Sequence, residues 1–137
     1  MYKKLLVPVD LAHIERLGKA LTTAADLARH YRIPVCYAGV TTALPGVVAH
    51  SPAEFTRKLE HFAKTQADQY GLDTSTMTIL SHDPAIDLND RLLKAIEDAD
   101  ADIVVMGSHV PGLAEHLFAS HAGYVAMHSK ASVLVVR

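Results

Sequence analysis

Short apolar runs and longer amphipathic segments alternate along the chain. Runs that are apolar at successive positions are typical of strands buried on both faces of a sheet, and we predict five of them, over residues 3–10, 34–40, 76–81, 103–106 and 132–136. In the longer segments apolar positions recur every three or four residues, which predicts amphipathic helices. We place these helices at residues 14–32, 52–70, 84–98 and 120–129.

The second predicted helix carries clear boundary signals. Ser51 is a preferred N-cap residue, Pro52 suits the first helical position, and Glu54 completes a capping-box pattern three residues after the cap. Gly71 is a typical C-terminal stop. Residues 41–50, which precede the cap, show neither period and contain a Pro-Gly turn signal, so we predict a loop there.

The order of the elements predicts the fold class. Strands and helices alternate strictly, and near-continuous apolar strands joined by helices predict an α/β, doubly wound, five-stranded parallel sheet of flavodoxin or Rossmann-like type, with strand order 3-2-1-4-5. Ligands of such sheets bind beyond the carboxyl ends of the strands where the winding reverses. Here those ends carry Pro8-Val9-Asp10 and Gly107-Ser108-His109.

Composition narrows the class of protein. The chain has 137 residues, a formal net charge of -2 and one cysteine, so we predict a single domain over residues 1–137 that folds on its hydrophobic core. The charge provides no attraction to nucleic acid or anionic lipid, and the apolar runs are far shorter than the roughly 20 residues of a membrane span. Cys36 is interpreted as a small buried hydrophobe. We expect a cytoplasmic protein that binds neither nucleic acid nor membrane.

The loop after the fourth strand is the segment that most strongly indicates ligand chemistry. Gly107 and Gly112 allow the backbone to approach an anion closely, and a helix that begins at Ser120 would direct free N–H groups at a phosphate. The same spacing also fits a tight strand-to-helix connection with Ser120 as its N-cap. The chain has no Walker loop and no G-x-G-x-x-G sequence after the first strand.

Four segments resemble the universal stress protein family. They are residues 3–10 (KKLLVPVD), 83–85 (DPA), 101–109 (ADIVVMGSH) and 132–137 (SVLVVR). The resemblance spans the whole chain and implies the adenine nucleotide alpha hydrolase-like form of the doubly wound fold.

Nucleotide-binding members of that family carry G-x2-G-x9-G-[ST] after strand 4, where backbone amides and the hydroxyl hold the phosphates of ATP. Gly107 matches the first glycine and Ser120 matches the hydroxyl. Val110 and Ala119 stand at the other two glycine positions, and the spacing is one residue short. Gly112 is a candidate for the flexible role of the second glycine.

The resemblance also implies a ligand and a set of contact residues. The ligand is an adenine nucleotide: ATP, or alternatively AMP or ADP. The nucleotide can bind with or without Mg²⁺. Asp10 would face the ribose and adenine, and the backbone of Val9 and Val40 would contact adenine. The residues implied around the ribose and phosphates are Gly107, Ser108, His109, Ser120 and His121, and the set is completed by Pro8, Met106, Gly112 and Ala119.

Three other kinds of site receive less support from the sequence. Nine histidines suggest a metal site, but no H-x3-H or H-x-H pair occurs, and His121 and His128 lie about 10 Å apart on one helical face. Ser108, His109 and Asp10 suggest a hydrolase triad, but Ser108 does not lie in a G-x-S-x-G elbow. A response-regulator receiver needs paired acids, an acceptor aspartate after strand 3 and a lysine after strand 5, which the sequence does not supply. We therefore expect neither a metal site nor catalytic residues.

The last strand predicts self-association. Val133 to Val136 form an apolar edge strand with no helix after it, and such an edge pairs readily with a second copy. The resemblance likewise implies a homodimer through this strand. The alternative is a bare edge that is protected by Lys130 and Arg137.

Three functions remain open from the sequence. The first is a cytoplasmic, homodimeric regulatory protein of the stress response that binds an adenine nucleotide with little or no turnover and presents residues 41–50 to unknown protein partners. The second is a weak ATPase or self-phosphorylating protein in which His109 or His121 assists phosphoryl transfer to Ser108 or Ser120. The third is a nucleotide-free interaction protein, because two motif glycines are replaced.

Overall fold

A computed structural model describes residues 1–107 and 113–137, except for the side chains of Ala85 and of residues 113–120. Five parallel strands form one sheet in the order β3-β2-β1-β4-β5, as the sequence predicts. The strands are β1 Leu5–Val9, β2 Val35–Thr41, β3 Thr74–Leu80, β4 Ile103–Gly107 and β5 Ser132–Val136. The helices are α1 Gly18–Tyr31, α2 Pro52–Tyr70, α3 Pro84–Asp98 and α4 Leu113–His128, and a 3-10 helix spans Leu11–Arg16. Among the helices described, none is long and apolar enough to cross a membrane.

The central strand explains why the apolar runs are continuous. All five residues of β1 are buried, because the strand lies between β2 and β4 and is covered on both faces. Leu5, Val7 and Val9 pack into the core beneath α1 and α2. Leu6 packs into the opposite core, beneath α3 and α4. The alternation of side chains along a strand thus divides one apolar run between two hydrophobic layers.

The boundary signals of α2 are confirmed, with one difference in the hydrogen bonding. The Ser51 Oγ accepts a hydrogen bond from the Glu54 backbone N–H at 3.1 Å, and Gly71 ends the helix in the left-handed region at φ 68°. The Glu54 carboxylate accepts a bond at 3.0 Å from the backbone N–H of His50, one residue before the cap. This bond lowers the pKa of Glu54, because it favours the charged carboxylate.

Two predicted helix starts are wrong. The segment predicted as one helix from residue 14 consists of the 3-10 helix and α1, which are separated at Leu17 (φ -97°, ψ 4°). The last helix begins at Leu113, so Ser120 lies inside α4 and does not supply the free N–H groups of a helix start. Residues 113–120 contain neither glycine nor proline, and the helix therefore extends toward the amino terminus beyond the predicted start.

Cys36 is buried, as predicted for a small hydrophobe in β2. Burial raises the pKa of its thiol above the usual cysteine range, since desolvation disfavours the thiolate. The neutral thiol therefore contributes packing to the core rather than a nucleophile.

Candidate functional site

A mostly apolar pocket of about 190 Å³ lies at the carboxyl ends of β1 and β2. The residues that line it come from these two strand ends and from α3: Pro8, Val9, Asp10, Val40, Pro84, Leu88 and Leu92. Four of them were predicted from the sequence as site residues, namely Pro8, Val9, Asp10 and Val40. The pocket therefore suits a flat, largely apolar group that also carries a hydrogen-bond donor for the Asp10 carboxylate.

The sequence reasoning missed the wall that α3 contributes. Ser81 follows β3, and its backbone N–H donates to the Thr41 carbonyl at 2.9 Å, which keeps the chain beside the end of β2 as α3 begins. Pro84 then starts α3, and Leu88 and Leu92 lie one turn apart on its buried face. Leu88 and Leu92 have the helical spacing of four residues, and their helix begins at the carboxyl edge of the sheet, where the pocket lies. The sequence therefore contained a signal from which this wall could have been predicted.

Asp10 is held by two hydrogen bonds. Its Oδ1 accepts from the Ala12 backbone N–H at 3.0 Å, so Asp10 caps the 3-10 helix. Its Oδ2 lies 2.8 Å from Nδ1 of His13, and these two side chains are 25% and 38% exposed. The carboxylate is consequently fixed at the rim of the pocket rather than free to rotate in solvent.

A second cavity of about 190 Å³ lies next to the first, and Asp10 and Val40 line both. Its other walls are Leu11, the end of β2, Phe55 and part of the loop predicted at residues 41–50. Leu44 and Val47 of this loop are 75% and 100% exposed. The loop thus forms one side of a cavity that shares Asp10 and Val40 with the candidate site.

The residues predicted at the end of β4 are only partly described. Met106 is buried in the core beneath α3 and α4. At Gly107 a side-chain Cβ would lie 3.2 Å from Cδ2 of Leu17, so the absence of a side chain allows the break before α1 to pack against β4. The predicted contacts of Ser108, His109 and Gly112 lie outside the described residues, and those of the Ala119 and Ser120 side chains remain predictions.

His121 is buried between α3 and α4, where its Nδ1 hydrogen-bonds to Oδ1 of Asn89. Its Nε2 is buried and has no hydrogen-bond partner among the residues that the structure describes. Burial lowers the pKa of His121 below the usual histidine range, because the charged ring loses its hydration. The neutral form is therefore favoured at neutral pH, so His121 brings no positive charge to a phosphate under those conditions.

Within residues 1–107 and 121–137, no cluster of three or more His, Cys, Asp or Glu side chains is placed to hold a metal ion. The candidate site, in that part of the chain, contains one carboxylate and otherwise apolar side chains. This composition favours binding of an organic group over direct coordination of a cation.

The strand order and the pocket at the carboxyl edge define an α/β protein of Rossmann-like fold with a candidate ligand site. The universal stress protein family model matches residues 1–137, and the chain belongs to this family. Universal stress protein G of Salmonella typhimurium is 30% identical over 148 residues, which cover all of both chains.

Two solved structures confirm the fold. A universal stress protein in complex with cAMP has a TM-score of 0.71 at 19% identity and covers 99% of this chain and 97% of its own. The universal stress protein of Archaeoglobus fulgidus in complex with dAMP has a TM-score of 0.67 at 21% identity and covers 99% of this chain and 98% of its own. The resemblance that the sequence suggested is therefore confirmed for family and for fold.

Proposed function

We propose that this chain is a cytoplasmic regulatory protein of the stress response that binds an adenine nucleotide, with the base in the pocket between β1, β2 and α3. The observation that carries the proposal is this mostly apolar pocket with Asp10 at its rim. Structural relatives that share the fold are complexes with cAMP and dAMP, and both of these ligands contain adenine. AMP, ADP and ATP all present the group that the pocket is proposed to hold.

The proposal places the phosphates beyond the end of β4, next to Gly107. Mg²⁺ would bind there only together with ATP, because the described part of the site offers a single carboxylate and no acidic pair to hold the ion directly. The same lack of an acidic pair supports little or no turnover, since phosphoryl transfer needs a positioned metal and a group that orients the nucleophile. Nucleotide occupancy would change the surface of the loop beside the second cavity, and protein partners would recognise that surface.

We also propose that the active form is a homodimer that pairs through β5. Both β3 and β5 are edge strands, but β3 is rich in threonine and serine whereas β5 has the sequence SVLVV. An apolar edge strand is a template for pairing, and a twofold dimer covers it. Leu134 on β5 is 39% exposed in the single chain.

Calorimetric titration with AMP, ATP and inorganic phosphate tests the nucleotide proposal. The wild type is expected to bind both nucleotides and to bind phosphate at least about tenfold more weakly. Val40→Phe fills the pocket from β2 and is expected to abolish binding. Ile86→Phe is the control, because Ile86 is 81% exposed on α3, the helix that also carries Leu88.

Three results would be informative. Equal affinity for phosphate and the nucleotides, or unchanged binding by Val40→Phe, contradicts the base pocket. Absence of nucleotide binding by the wild type would favour the nucleotide-free interaction protein. Release of phosphate from ATP at a steady rate would favour a weak ATPase.

A further inference from the structure

We infer that His13 is a positioning residue of the nucleotide site, which orients the Asp10 carboxylate for the hydroxyl groups of a bound ribose. This inference rests on the proposed function and assigns a role to a residue that does not line the pocket. The pair joins Nδ1 of His13 to Oδ2 of Asp10 at 2.8 Å.

The backbone of this segment brings the two side chains together. Asp10 caps the 3-10 helix, and the His13 backbone N–H donates to the Asp10 carbonyl at 3.0 Å. His13 itself departs from helical geometry, at φ -136° and ψ 41°. Both the backbone and the ring of His13 therefore contact the same residue, three positions earlier in the chain.

The chemistry of the pair fixes the proton. An ionised carboxylate only accepts hydrogen bonds, so Nδ1 of His13 carries the hydrogen and donates it to Oδ2 of Asp10. The Ala12 backbone N–H occupies one acceptor position on Oδ1. Because a carboxylate has about four acceptor positions, both oxygens retain capacity for further donors.

A ribose supplies donors of the required kind. Its neighbouring 2′- and 3′-hydroxyls can donate to the two oxygens of one carboxylate, and an acidic residue in this role is common at Rossmann-type sites. Asp10 lies at the rim of an apolar pocket that suits the base. The ribose attached to a base in this pocket would therefore lie beside the Asp10 carboxylate. Without His13 the carboxylate would rotate more freely and would have to be ordered when the ligand binds.

The expected effect follows from that ordering cost. Immobilising one side chain on binding costs enough to weaken affinity about threefold to tenfold. Two donor-free variants, His13→Ala and His13→Leu, are therefore expected to bind AMP about threefold to tenfold more weakly than the wild type. Their affinity for 2′,3′-dideoxy-AMP, which lacks both hydroxyls, is expected to match that of the wild type within about twofold.

His13→Asn supplies the rescue, because its side-chain amide can donate to Asp10 from nearly the same position as Nδ1. This variant is expected to bind AMP within about twofold of the wild type. In an Asp10→Ala background, His13→Ala is expected to have no further effect, since the group it positions is gone. His61→Ala removes an exposed histidine on α2 and is the control.

The experiment is a titration of each variant with AMP and with the dideoxy analogue, together with a thermal melt that verifies folding. Equal weakening of both ligands, no weakening by either donor-free variant, or no rescue by His13→Asn would overturn the inference. Tight binding of both ligands by all variants would leave the proposed nucleotide function intact while refuting the role of His13. Failure of the wild type to bind either ligand would instead refute the proposed function and, with it, this inference.

Discussion

His121 on α4 donates a hydrogen bond from Nδ1 to Oδ1 of Asn89 on α3, and this bond joins the two helices that cover one face of the sheet. An amide oxygen only accepts, so Nδ1 carries the proton and Nε2 of the neutral ring is left as a buried acceptor. His121 is only 6% exposed. A second proton on this ring is therefore unfavourable, because the resulting charge would be buried. Protonation of His121 is therefore expected to weaken the packing of α4 against α3.

Acidification is expected to destabilise the fold through His121. Burial lowers the pKa of His121, so the unfolded chain, in which the pKa is about 6.5, binds the proton more readily. The contribution of His121 is complete above about pH 6.5 and is lost as the pH falls through the lower pKa of the folded state.

Urea unfolding between about pH 7.5 and pH 5, at one protein concentration, measures this loss. His121→Gln is expected to lose less free energy of unfolding over this range than the wild type. His61→Gln, which replaces an exposed histidine on α2, is expected to follow the wild type. Parallel profiles for His121→Gln and the wild type would refute the assignment.

Gly39 and Phe55 set the distance between β2 and α2. A Cβ at Gly39 would lie 2.8 Å and 2.9 Å from two ring carbons of Phe55. Gly39→Ala is therefore expected to lower the free energy of unfolding by about 1–3 kcal/mol, the usual cost of overpacking.

Gly18→Ala is the matched control, because a Cβ at Gly18 meets nothing within 4 Å. We expect it to be neutral or to stabilise by up to about 1 kcal/mol, since alanine reduces the entropy of the unfolded chain. Phe55→Leu is expected to restore part of the loss in Gly39→Ala. Equal effects of the two alanine substitutions in chemical denaturation would contradict this account of the packing.

The Ser81 hydroxyl and the Asp87 carboxylate connect the end of β3 to the first turn of α3. Ser81 is fully buried and donates to Asp87, which also lies 3.6 Å from the guanidinium of Arg91. Asp87→Ala removes the acceptor of a buried hydroxyl and is expected to cost about 1–3 kcal/mol.

Asp87→Asn keeps an acceptor and is expected to cost less than Asp87→Ala in urea unfolding. Asp90→Ala, an exposed aspartate on the same helix, is the control and is expected to change stability by less than about 0.5 kcal/mol. Similar losses for Asp87→Ala and Asp90→Ala would show that the hydrogen bond contributes little.

A charge on the β5 edge is expected to separate the proposed dimer. Leu134 on β5 and Leu80 on β3 are 39% and 40% exposed, so they offer the same substitution on the two edge strands. Sedimentation analysis is expected to show a dimer for the wild type and for Leu80→Lys, and a monomer for Leu134→Lys. A monomeric wild type, or a dimer that only Leu80→Lys disrupts, would contradict pairing through β5.

The fold could be predicted because its signals are local. Continuous burial of β1 gave an unbroken apolar run, and α2 carries its own start and stop signals at Ser51 and Gly71. The start of α4 was missed because the segment 113–120 contains no break, and Ser120 resembled a cap only through its chain position.

The candidate site was predictable in part. Asp10 follows from the topology and Val40 was implied by the family resemblance, whereas the wall of Leu88 and Leu92 depends on how α3 packs over the sheet. The bond between Asn89 and His121 joins residues 32 positions apart and could not be read from local spacing. The contact of His13 with Asp10 is local, and an aspartate cap followed three residues later by histidine was a readable signal.

The central claim is that adenine occupies the pocket between β1, β2 and α3. The most direct test is nuclear Overhauser contact between the adenine protons of bound AMP and methyl groups of the selectively labelled protein. We predict contacts to methyl groups of Val40, Leu88 and Leu92, and none to Val133, which lies on the edge strand β5. Contacts confined to other methyl groups, or contacts that persist in Val40→Phe, would contradict the claim.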